Sequence, residues 1–193
     1  MKYILFISLL FISCSKNSES NSINEDENLA SETEQVSNEY YEIYLLEQLN
    51  ENRGYCIDIK GSKLNADPDN GLQAHTCYSY QGEVSVDQGF DNVKIDEDEF
   101  YMPFFDVCME AENTSASSTL NLKGCNKNEK QKFKFNSNAE IVLSDNTNLC
   151  LTVSENSREG GGGTPTHLIR DLILDNCSTD ISARQRWGLR KTQ

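Results

Sequence analysis

Apolar and polar residues alternate in short runs along most of the chain. Tyr55-Cys56-Ile57-Asp58-Ile59, Val107-Cys108-Met109-Glu110-Ala111 and Leu149-Cys150-Leu151-Thr152-Val153 share one pattern, a strand-like period with a polar side chain two positions past a cysteine. A second pattern, again an alternating stretch that ends on cysteine, occurs at Leu72–Cys77, Leu120–Cys125 and Leu172–Cys177. Further strand-like runs cover Ile43–Leu46, Phe100–Phe105, Phe133–Phe135 and Ile141–Leu143. Turn-forming clusters separate them, among them Asn50-Glu51-Asn52-Arg53-Gly54, Asp67-Pro68-Asp69-Asn70-Gly71 and Asp145-Asn146-Thr147-Asn148. No segment keeps a helical period. Many short strands divided by turns predict an all-β sandwich or barrel.

The two cysteine patterns belong to one repeating unit. Each is followed by Gln-x-aromatic: Gln88-Gly89-Phe90, Gln131-Lys132-Phe133 and Gln185-Arg186-Trp187. The unit occurs three times, its first cysteines 52 and 42 residues apart, and threefold repetition of short strands predicts a β-trefoil. Six cysteines allow fifteen pairings. The repeat makes pairing within each unit the economical one: Cys56–Cys77, Cys108–Cys125 and Cys150–Cys177. Each bridge would close a loop of roughly twenty residues and stabilise by about 3 kcal/mol. The expected boundaries are about 42–97, 98–139 and 140–190 within a domain spanning 40–193.

Cys14, the seventh cysteine, has no partner in this scheme. It follows a one-lysine start and the apolar run Ile4–Ile12, which is too short to span a bilayer but fits the core of a secretory signal. Phe11-Ile12-Ser13-Cys14 resembles a bacterial lipobox. That resemblance implies a signal peptide over 1–13, cleavage before Cys14 and lipidation (palmitate) of its thiol, hence a secreted protein anchored to the bacterial cell envelope. Ser15, rather than Asp, favours the outer membrane by the enteric sorting rule. Residues 15–39 lack aromatics and carry seven acidic residues against Lys16, so 14–39 reads as a disordered tether.

Composition narrows the functions. The net charge of −14 argues against nucleic-acid binding, which depends on clustered Lys and Arg. Two histidines exclude a His-rich metal site, and neither His75 nor His167 sits in a nucleophile motif, so the reading is a non-enzyme without a cofactor. The four-glycine run Gly160–Gly163 is followed by Thr164-Pro165 where a phosphate loop needs Lys and Ser/Thr; it reads as a flexible surface excursion. The run Asp96–Glu99 lacks the spacing of a calcium loop and reads as a solvated turn. Tyr78 and Tyr80, beside Cys77, are candidates to extend a stacking surface or to pack on the domain.

The repeat resembles the ricin-type (R-type) lectin family, whose unit is Cys-x-Asp, a loop, Gln two residues before an aromatic, a second Cys, then Gln-x-Trp. The resemblance covers about residues 42–190. It implies that Gln88, Phe90, Gln131, Phe133, Gln185 and Trp187 build the core and that sugar is held elsewhere. In the first unit it implies Asp58 as the carboxylate, Gln73 as the amide, His75 as the stacking ring and Asp87 as a further hydroxyl ligand, one that accepts but, as a carboxylate, does not donate. The second unit offers Glu110, Asn121 and Lys123, with no stacking ring. The third offers Thr152, Ile173 and Asp175, with carboxylate, amide and platform all lost. The expected partner is a glycan, of galactose type, bound in the first repeat. The competing readings are a protein-interaction or toxin cell-binding subunit with degenerate sites, and an accessory to a polysaccharide-processing enzyme. In a bland reading Asp58 anchors a turn and His75 is an exposed strand residue.

Overall fold

The computed structural model describes residues 40–78 and 86–192. The expected leader, Cys14 and tether, as well as Tyr80, lie outside the described residues. Among the described residues, twelve of the thirteen strands form three sets of four. The first is β1 (Tyr40–Leu45), β2 (Tyr55–Ile59), β3 (Leu72–Thr76) and β4 (Phe90–Asp91); the second is β5 (Tyr101–Met102), β6 (Val107–Ala111), β7 (Ser118–Lys123) and β8 (Phe133–Phe135). The third is β9 (Ile141–Leu143), β10 (Asn146–Val153), β12 (Leu168–Asn176) and β13 (Trp187–Lys191), with the short β11 (Arg158–Glu159) added before β12.

The outer strands of each set close a barrel. β1 pairs with β4 and β13, β8 pairs with β9, β4 lies beside β5, and the bridges Glu99–Lys132 and Glu140–Arg186 complete the ring. The inner strands form the hairpins β2–β3, β6–β7 and β10–β12 that cap it, and β12 also pairs with β3 and β7. This is a β-trefoil, as the repeat predicts. The disulfides are Cys56–Cys77, Cys108–Cys125 and Cys150–Cys177, with Cα atoms 5.0, 5.1 and 5.0 Å apart.

The barrel is filled by the Gln-x-aromatic rings Phe90, Phe133 and Trp187, joined by Ile43, Leu45, Phe100, Ile141 and Leu143. Phe100 packs edge-on against Phe90 and Phe133 at 6.4 and 5.9 Å between ring centroids. The indole of Trp187 donates to Leu151 O at 2.9 Å, so its one polar atom is satisfied inside the core.

The glutamines play one structural part three times. Gln185 Nε2 donates to Thr152 Oγ1 (2.8 Å) and Asn176 O (2.9 Å), and its Oε1 accepts from the backbone of Ser178 at 2.9 Å. Gln131 likewise joins Glu110, Gly124 O and the backbone of Asn126, and Gln88 joins Asp58, Thr76 O and the backbone of Tyr78. In every repeat the amide links the residue two past the first cysteine to both neighbours of the second.

Three local expectations change. A single helical turn, α1 (Asn92–Ile95), follows β4, capped by the Asp91 carboxylate accepting from Lys94 N. Of the acidic run, Glu99 is buried rather than solvated because it bridges to Lys132 in the barrel. The glycine-rich excursion is tied down: β11 pairs with β12, and Gly160 N donates to His167 O at 2.7 Å.

Trp187→Ala should cost about 3–5 kcal/mol through the cavity it leaves. Gln185→Leu should cost about 2 kcal/mol, because it strands the buried Thr152 hydroxyl and two backbone groups nearer the surface. Leu64→Ala, at an exposed site, should stay within about 0.5 kcal/mol. Urea denaturation with the disulfides intact measures all three; a Gln185→Leu cost no larger than that of Leu64→Ala would show that the amide carries no load.

Candidate functional site

Strand register places the same positions together in every repeat. Asp58 faces Gln73, Glu110 faces Asn121 and Thr152 faces Ile173 across the three hairpins; Cys56 faces His75, Cys108 faces Lys123 and Cys150 faces Asp175. Side chains directly opposite on an antiparallel pair project to the same face, so each hairpin presents a carboxylate or its substitute, an amide or its substitute, and a third group. In the third repeat Thr152 is spent on Cys150 O and Gln185.

In the first repeat Asp58, Gln73 and Asp87 come together, and His75 lies two residues beyond Gln73 on β3 with neighbours of its own. Asp58 Oδ1 accepts from Gln73 Nε2 at 2.9 Å and Oδ2 from Gln88 Nε2 at 3.0 Å. Asp87, on the short turn Val86–Gln88, accepts from the backbone N–H of Lys63 through Oδ2. Its Oδ1 is buried and has no hydrogen-bond partner among the described residues. Burial raises the Asp58 pKa well above the ordinary carboxylate range; the nearby Asp87 charge adds to this, and the bonds from Gln73 and Gln88 offset only part. Asp87 is also raised, again chiefly by burial and against the bond from Lys63. A carboxyl that keeps its proton donates as well as accepts, so burial moves this pair toward the donor that an ionised Asp87 lacks.

The site is covered. Asp58 and Asp87 are 0% exposed, Gln73 4% and His75 3%. His75 therefore does not lie on an open strand. Its Nδ1 bonds Thr76 O at 2.9 Å, and its ring packs against Tyr78 (5.1 Å between centroids) and edge-on to His167 (5.0 Å). Burial lowers the His75 pKa to about 4, with the neighbouring His167 and Arg53 adding to the fall.

Sequence reading missed the residues that hold this cover. Glu51 receives Arg53 Nε at 2.8 Å, Arg53 Nη2 at 2.7 Å and Thr76 Oγ1 at 2.9 Å. Burial alone would raise its pKa, but these bonds outweigh burial and take it down to about 2. The same guanidinium donates to Pro165 O (2.9 Å) and Thr166 O (3.0 Å), while Leu168 N donates to Thr76 Oγ1 at 2.8 Å. The usable signal was the extra length and the glycines of the third loop. Gly162 and Gly163 have φ of +75° and +79°, and a Cβ on Gly163 would lie 2.3 Å from His167 Cδ2.

The second repeat is open by comparison. Glu110, partly buried, accepts from Gln131 Nε2 (2.9 Å) and Asn128 Nδ2 (3.0 Å), with Lys130 Nζ at 3.8 Å, and Lys123 is exposed. For a metal, the candidate clusters among the described residues are Glu42, Glu99 and Glu140, each within 4.8 Å of one of the three disulfides. Oxidised sulfurs offer no thiolate, so these clusters do not suit a metal.

The described trefoil matches known structures in shape. The C-half of an earthworm R-type lectin, solved in complex with GalNAc, superposes with TM-score 0.55 at 13% identity, covering 79% of this chain and 98% of that one. The designed threefold-symmetric protein ThreeFoil gives TM-score 0.56 at 13% identity, covering 78% and 96%. A non-toxic homologue of type II RIPs from Momordica charantia (bitter gourd), in complex with α-methyl-D-galactoside, gives 0.52 at 13%, covering 80% of this chain and 49% of that one. None of the curated proteins matches the chain in sequence. The family described as the ricin-type beta-trefoil lectin domain matches residues 46–187. With three Cys-bounded units, three glutamine links and one barrel, the chain belongs to the ricin-type β-trefoil lectin domain family.

Proposed function

We propose that the protein binds carbohydrate in its first repeat and is a surface lipoprotein, lipid-anchored through Cys14 to the outer membrane of a bacterial cell envelope. In this reading residues 1–13 are the signal peptide, 14–39 the tether and 40–193 the binding domain. The observation that carries the site is Asp87 Oδ1, a buried acceptor without a partner among the described residues, beside a second buried carboxyl and the Gln73 amide. Leaving such an atom unpaired costs about 1–3 kcal/mol, and a sugar hydroxyl would recover it. Asp58 and Gln73 take adjacent hydroxyls, Asp87 takes a third and His75 supplies the flat face. The sugar is of galactose type, in line with the α-methyl-galactoside and GalNAc named in the bitter gourd and earthworm structures. Entry requires Tyr78 and the third-repeat loop to give way. The role is binding without catalysis.

The cover over Asp58, Gln73 and His75 favours a second reading, a trefoil that presents its surface to a protein partner. Calorimetric titration with galactose, GalNAc and a glycan array separates the two. Saturable binding should fall at least 10-fold in Asp58→Asn and in Gln73→Ala, the scale of one lost hydrogen bond to a polar ligand. Binding unchanged in both variants would move the site out of the first repeat, and no binding by the folded protein would leave the partner reading. Metabolic labelling with palmitate should mark the wild type and not Cys14→Ser; an unlabelled wild type would remove the anchor.

A further inference from the structure

The β1–β2 turn of the first repeat and the long loop of the third enclose a cavity of about 540 Å³, inside the roughly 300–1,000 Å³ that small-molecule sites occupy. We infer that this cavity is a second ligand site, one that takes a neutral or amine-bearing sugar ring. Its walls are turn residues 50–53 and loop residues 159–168, apart from the Asp58, Gln73 and Asp87 group. It takes its ligand class from its own lining and stands whether or not the first repeat binds sugar.

The walls are fixed by bonds that leave two polar groups over. Arg53 spends its guanidinium on both Glu51 oxygens (2.8 and 2.7 Å) and on the carbonyls of Pro165 and Thr166 (2.9 and 3.0 Å). Asn50 Nδ2 donates to Ser157 Oγ at 2.8 Å, and its Oδ1 accepts from Tyr55 Oη (2.8 Å) and Arg170 Nη2 (2.7 Å). Arg170 is itself buried, 5.1 Å from the centre of the Tyr55 ring. The ties from turn to loop join residues 107 to 120 apart in the chain, so the rim is organised before any ligand arrives. Glu159 and Asn52 differ. Both are exposed on the cavity wall, and their side chains make no hydrogen bond or ion pair among the described residues.

Register aims these groups. Glu159 stands opposite Leu168 on the β11–β12 pair, so the carboxylate and the leucine share a face. Arg158, the neighbouring residue, turns the other way to Asp171 at 2.8 Å. The cavity thus offers a carboxylate that accepts hydroxyl hydrogens, an amide that donates and accepts, and apolar surface from Leu168 and the Pro165 ring. A sugar ring matches that set, with adjacent hydroxyls for the polar pair and a C–H face for the apolar one. Charge then selects among sugars. Glu51 meets the Arg53 cation, which leaves the Glu159 charge uncompensated in a chain of net charge −14. A uronic acid is repelled there, while a neutral hexose or an amino sugar is accepted.

Chemical-shift titration of the ¹⁵N-labelled full chain tests this with galactose, glucose and mannose, each as the neutral hexose, the 2-amino sugar and the uronic acid. Amides of 50–53 and 159–168 should move saturably with at least one neutral or amino hexose, and at least 10-fold more weakly with its uronic acid. Glu159→Ala should weaken binding at least 10-fold, the scale of one lost hydrogen bond to a charged group, and Asn52→Ala should weaken it in the same direction. Glu159→Gln should abolish the discrimination against the uronic acid. Both side chains are exposed, so the variants keep the fold, and Asp58→Asn should leave these shifts unchanged. No sugar moving these amides, or equal binding by wild type and Glu159→Ala, would overturn the site. Shifts confined to β2, β3 and 86–88 would support the first-repeat reading and overturn this one; shifts confined to 50–53 and 159–168 would do the reverse.

Discussion

The fold depends on a buried amide that must find three partners in the same place three times. A glutamine deep in a barrel cannot leave its donors or its carbonyl empty without losing about as much as a core methyl cluster supplies. Gln88, Gln131 and Gln185 solve this identically, spanning from the second cysteine's neighbours to the residue two past the first. The aromatic two residues on is thereby fixed in the barrel, and the polar residue of the opposite strand is fixed on the hairpin face. Asp58 owes its position to this constraint: one of its oxygens belongs to the scaffold and only the other meets Gln73.

The threefold plan is kept in the backbone and abandoned in the side chains. Registers match, disulfides match, and the barrel aromatics match even where Trp187 replaces phenylalanine. The faces of the hairpins diverge. The third repeat has exchanged the carboxylate, amide and platform for Thr152, Ile173 and Asp175, and its loop has grown to reach the first. One repeat has given up its own site and become part of another's surroundings, its loop lying against His75 and Thr76 at the end of β3, whose whole length is buried while β7 still alternates.

Much of this was legible from the chain. Cysteine flanks and Gln-x-aromatic units are local words repeated three times, so strands, bridges and barrel aromatics follow from them. The meeting of Asp58, Gln73 and Asp87 follows too, because pairing within one hairpin and one turn brings them together, with His75 farther along the same strand. Their burial does not. Beside His75 the cover comes from Arg53 reaching Thr166, 113 residues away, and Thr76 reaching Leu168, 92 away, and no periodicity within a segment encodes such a meeting. Glu99 was misread for a related reason: four acids in a row look solvated, and only the barrel bridge to Lys132 takes the last one inside.

The carboxylates placed beside the disulfides have a chemical consequence. Glu42 lies on β1, and Glu99 and Glu140 sit at isolated bridges just ahead of β5 and β9, each within 4.8 Å of its repeat's sulfur pair. Thiol–disulfide exchange proceeds by attack of an anionic thiolate and expels another. Negative charge beside the sulfurs opposes the incoming anion and disfavours the departing one. The screen is unequal, because Glu42 is neutralised by Arg190 and Glu99 has Lys127 at 3.9 Å, while Glu140 is met by the neutral amide of Asn136. The longest loop, closed by Cys150–Cys177, thus carries the strongest electrostatic guard against reductants.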